Sequence, residues 1–172
     1  MEGVFAGILA VLFIGTALVS DIRSMIISNK LNIAFFASGI IVHAAMSGLT
    51  GGVGALLGAA AGMFPLLLLY LLKGIGAGDV KFFAALGAVI GVGPVLQILM
   101  YAILYGGVFG LVMLLINRSF SRRFLFGAMS IVIAESKVQA WETSFANKKA
   151  LRFPFMIAVV PGALTALYFM LI

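Results

Sequence analysis

Only two aspartates occur in the 172 residues, Asp21 and Asp79, and each stands where an apolar run meets a basic connection. The three glutamates sit elsewhere: Glu2 near the start, Glu135 and Glu142 in one long polar stretch. A carboxylate at the edge of an apolar helix is costly to keep there, by ~2.5–3.5 kcal/mol at a helix centre and less near an end, and marks a candidate functional group. Two such groups that meet can share one proton, which raises one pKa and lowers the other. The ionised member then takes a proton from water while the protonated member polarises a carbonyl. Plainer roles also fit: Asp21 as a helix-end charge paired with Arg23, Asp79 as a helix N-cap paired with Lys81.

Gly74, Gly76 and Gly78 alternate just before Asp79. This spacing predicts irregular backbone ahead of the carboxylate, which lipid tolerates only where protein or a wet cavity surrounds it. The run Gly-Ile-Gly-Ala-Gly-Asp lacks the Walker pattern of a phosphate-binding loop. Thiol chemistry and cysteine-ligated metals are excluded, because there is no cysteine. His43, the lone histidine, reads as a packing residue, and neither a metal nor a cofactor is expected.

The elements that must position the aspartates are set by composition. The chain is 64% hydrophobic and only 9% charged, whereas soluble domains carry about 25% charged residues. Lipid is therefore the solvent over most of the surface, and residues 1–172 read as a single membrane-embedded domain. The fold class is all-α, an integral membrane protein of about six transmembrane helices. Five apolar stretches approach spanning length, at roughly 3–20, 31–48, 52–72, 94–116 and 153–171. A sixth, at roughly 80–92, is a short fourth helix, with Gly93-Pro94 as the turn that follows it. The first run lacks a basic leader region and reads as a retained helix.

All 11 lysines and arginines fall in three connections: Arg23 and Lys30; Lys73 and Lys81; and seven residues from Arg118 to Arg152. The positive-inside rule places those connections in the cytoplasm and both termini outside. The net charge of +6 is thus a topology signal and not a nucleic-acid footprint. Within 117–152, Val138, Trp141 and Phe145 recur at helical spacing, predicting an amphipathic helix on the inner membrane face. Gly54/Gly58/Gly62, Gly87/Gly91 and Gly106/Gly110 predict close helix contacts.

Gly76-Ala77-Gly78-Asp79, followed by Val80-Lys81, resembles the GxGD motif of prepilin peptidases. Asp21, with Arg23 and then Ile27-Ser28-Asn29-Lys30-Leu31-Asn32, resembles that family's first catalytic segment, with serine in place of the usual proline. Phe153-Pro154-Phe155 resembles the entry to its last helix. The resemblance runs the length of the chain and is to the short, peptidase-only type that serves Tad/Flp pili, without a methyltransferase region.

It implies an aspartic endopeptidase in the bacterial inner membrane, with Asp21 and Asp79 catalytic and Gly76, Gly78, Lys81, Arg23 and Asn29 in support. The implied substrates are type IV prepilins, cleaved after a glycine at the cytoplasmic boundary, and pilus-assembly machinery is an implied partner. Two other readings stand beside it. One is a small transporter or channel subunit with the aspartates as proton or cation ligands; the other is a non-catalytic assembly subunit.

Overall fold

A computed structural model describes residues 2–24, 27–72, 75–116 and 155–171. All secondary structure among them is helical: α1 (Glu2–Ser24), α2 (Asn29–Leu71), α3 (Ala77–Ile90), α4 (Val92–Ile116) and α5 (Met156–Leu171). Helices are the economical answer for such apolar sequence, since each satisfies its own backbone polar groups without water. Three stretches are long and apolar enough to cross a membrane: Phe5–Ser24, Asn29–Leu71 and Val92–Val112. Their outward faces carry large apolar side chains, such as Phe5, Ile8 and Leu12 on α1 and Leu104 and Val108 on α4. In lipid that exposure carries no hydrophobic penalty.

The six separate stretches expected from hydropathy are regrouped. Those at 31–48 and 52–72 form one 43-residue element, α2, broken at Gly48, where φ is 63° and ψ is −147°. A straight helix would hold residues eight apart at ~12 Å. Here a side chain on Gly51 would collide with the carbonyl of His43, so the chain folds back sharply. The expected connection at 48–52 contracts to a single residue, and left-handed backbone makes glycine the residue that fits. α3 starts at Ala77 and not near 80, and it ends at Gly91 (φ 82°) and not Gly93. Pro94 then falls in the first turn of α4, as anticipated. α5 begins at Met156, three residues later than expected. The amphipathic helix anticipated within 117–152, and Phe153 and Pro154, lie outside the described residues.

The chain divides into two compact units, residues 1–105 with 154–172, and residues 106–153. Of the second, the described residues 106–116 continue α4. In the first unit α3 packs chiefly along both arms of α2. A Cβ on Gly39 would lie 2.7 Å from the carbonyl oxygen of Ala88, so the first arm meets α3 backbone to backbone. On the second arm Gly58 and Gly87 each press on the other's carbonyl, and Gly62 on that of Phe83. Absence of side chains is what permits this approach. At Gly54 and Gly110 no described residue lies within 4 Å of where a Cβ would sit. Phe13 of α1 closes the core, stacking on Phe35 at 4.5 Å and meeting Phe82 at 4.7 Å between ring centroids. The Nε2–H of His43 donates to the carbonyl of Val89 at 2.9 Å, capping the last turn of α3.

Candidate functional site

Asp21 lies in the last turn of α1 and is 6% exposed. Its Oδ2 accepts the backbone N–H of Met156 at 3.1 Å. Met156 opens α5, and the first N–H groups of a helix have no partner within it. A carboxylate there satisfies one of them and meets the positive end of the helix dipole. Burial of this carboxyl group is therefore compensated by a group from the other end of the chain. Among the described residues no ion pair joins Asp21 to Arg23, which is exposed at the same helix end.

Asp79 lies in the first turn of α3, whose N-cap is Gly76 and not Asp79. As the third helical residue, Asp79 turns its carboxylate back onto the N–H of Gly76, one half of a capping box. Its own N–H donates to the Gly76 carbonyl at 3.2 Å. The irregular glycine backbone expected here is milder than anticipated. Gly76 has φ −82° and ψ 149°, which any residue adopts, and a Cβ there would sit in ordinary contact, 3.4 Å from Asp79 Oδ2. Gly78 is within the helix, with nothing within 4 Å of where its Cβ would be. Gly74 lies outside the described residues.

Asp21 at the end of α1 and Asp79 at the start of α3 stand on two helices that pack together. Phe13 on α1 meets Phe82, one turn beyond Asp79, in this packing. Lys81 does not pair with Asp79. It is exposed, and its Nζ donates to Oδ1 of Asn29, the first residue of α2, at 3.0 Å. Asn29 and Lys81 thus join the start of α2 to α3, while Arg23 makes no described contact with either. One contact escaped the sequence reading. Met156 holds Asp21 through its backbone, which leaves no side-chain signal. Asn32, the last residue of the segment from Ile27 that the sequence singled out, is 3% exposed.

Residues 8–111, which contain both aspartates, match the model of the type IV leader peptidase family. The chain is also 34% identical over 119 residues, 66% of its length, to a prepilin leader peptidase/N-methyltransferase of Bacillus subtilis (strain 168). It spans about half of that relative, 48% of its length. No solved structure matches.

Proposed function

The chain belongs to the type IV leader peptidase family, and we propose that it is a membrane aspartic endopeptidase that removes basic leaders from type IV prepilins of the Tad/Flp kind. The observation that supports this reading is a buried Asp21 at the end of one helix and Asp79 in the first turn of another that packs against it. In the mechanism one carboxyl is ionised and takes a proton from the attacking water. The other is protonated and hydrogen-bonds the scissile carbonyl, stabilising the developing oxyanion. The N–H groups of Met156 and Gly76 orient the two carboxyls. Neither aspartate needs a metal for these steps. The chain works as one domain in the bacterial inner membrane, crossing six times with both termini periplasmic. The basic connections then put the dyad at the cytoplasmic face, where a leader's positive charges stay and its apolar segment enters the bilayer.

The test is cleavage of a purified prepilin by the detergent-solubilised protein. Asp21→Asn and Asp79→Asn are each expected to lose at least ~10²-fold in rate, the lower bound for general acid–base help. Retention of more than about a tenth of the rate in either variant defeats the dyad.

A further inference from the structure

A cavity of about 320 Å³ lies between α2 and α3, on a different face of α3 from Asp79. Asn29 and Lys81 stand at its polar end, and Ile33, Phe36 and Met63 form its apolar wall. Asn32 also lines it. That side chain is 3% exposed, yet neither its Oδ1 nor its Nδ2 has a hydrogen-bond partner. Buried amides left unpaired are rare, because each orphan atom forfeits its solvation with no return. An orphan donor and an orphan acceptor on one planar neutral group are complementary to another amide. Lys81, the cation among the described lining residues, stands at the rim with Asn29, whereas the two orphan atoms deeper in belong to the neutral Asn32 amide and call for a neutral polar partner.

The geometry points to a peptide-binding subsite: Asn32 pairs with one backbone amide of an extended substrate segment, whose apolar side chain fills the space beside Ile33, Phe36 and Met63. This rests on the peptidase reading above and adds the residue that fixes the substrate's register. Lys81 follows Asp79 by two positions, about 200° around the helix, and passing round half the girth of a helix of ~10 Å diameter, ~16 Å, takes about five extended residues at ~3.3 Å each. The bound amide therefore lies about five residues from the scissile bond. It lies on the apolar side, because Ile33, Phe36 and Met63 wall the cavity.

The test separates binding from cleavage. In the Asp79→Asn background, the affinity of a fluorescent prepilin peptide spanning leader and apolar segment is measured in detergent. Asn32→Leu is close in volume and removes both orphan atoms, so it is expected to raise the melting temperature while weakening the peptide about tenfold. Ala84→Leu fills the same cavity from α3 and is expected to weaken it comparably, which keeps the test decisive if Asn32→Leu folds poorly. A peptide with an ester in place of the amide about five residues past the cleavage point should lose affinity for Asn32 protein and lose nothing further with Asn32→Leu. Unchanged peptide affinity in both cavity variants overturns the inference, including the case where only co-purified phospholipid changes, which assigns the cavity to lipid. Failure of the parent protein to cleave, with Asn32-dependent peptide binding intact, defeats the catalytic reading and leaves this one standing.

Discussion

Replacing each aspartate by alanine should have unequal structural consequences, and the inequality follows from their different partners. Asp21→Ala strips the acceptor from the N–H of Met156 at the start of α5. A hydrogen bond to a charged group contributes ~1.5–3 kcal/mol. Asp79→Ala removes only a capping contact to Gly76 at a partly exposed helix start, where a cap contributes ~0.5–2 kcal/mol to α3 itself. Global stability is a blunt readout for Asp21, since deleting a buried carboxylate also recovers its desolvation cost. Amide hydrogen exchange resolves the matter locally. Exchange of the first-turn amides of α5 should quicken roughly 10- to 100-fold in Asp21→Ala, at ~1.4 kcal/mol per tenfold. The same amides should be unchanged in Asp79→Ala. Unaltered protection at Met156 in Asp21→Ala, or equal loss in both variants, refutes the anchoring of α5 by Asp21.

Gly58→Val should destabilise strongly, because its Cβ would enter the carbonyl of Gly87; overpacking costs ~1–3 kcal/mol or more, and thermal unfolding in detergent reads it. Gly78→Ala should leave the melting temperature unchanged, given the open space there, so any loss of cleavage measured beside it reports substrate approach and not folding. Single cysteines at Thr50 and Gly93 should react with an impermeant reagent from the periplasm while one at Ser24 is shielded, and labelling of Ser24 from outside reverses the orientation.

The sequence made the helical class, the lipid solvent and the two aspartates legible, because hydropathy and charge placement are properties of composition along the chain. It placed the break within α2 correctly, at Gly48, and overestimated only its length. Ser47-Gly48-Leu49-Thr50-Gly51-Gly52 has the glycine content of a loop, yet one left-handed glycine accomplishes the turn and its neighbours stay helical. Asp79 looked like an N-cap because aspartate favours that position, but the capping box uses the third helical residue equally well. Lys81 sat beside Asp79 in sequence and faces Asn29 in space, since two residues on a helix point to opposite sides. The bonds from Met156 to Asp21 and from His43 to Val89 involve backbone groups, which every residue has, so no residue type could announce them.

The bond between Asp21 and Met156 joins residues 135 positions apart, and this separation has a meaning in time. Synthesis at roughly 5–20 residues per second puts roughly 7–27 s between the two leaving the ribosome. Within that interval α1, α2 and α3 can be made and pack, and the second aspartate joins the first, but the first still lacks the N–H that orients it. The proposed hydrolytic centre, assembled in this order, stays incomplete on the nascent chain. It is finished by the last described helix, made after α1 to α4.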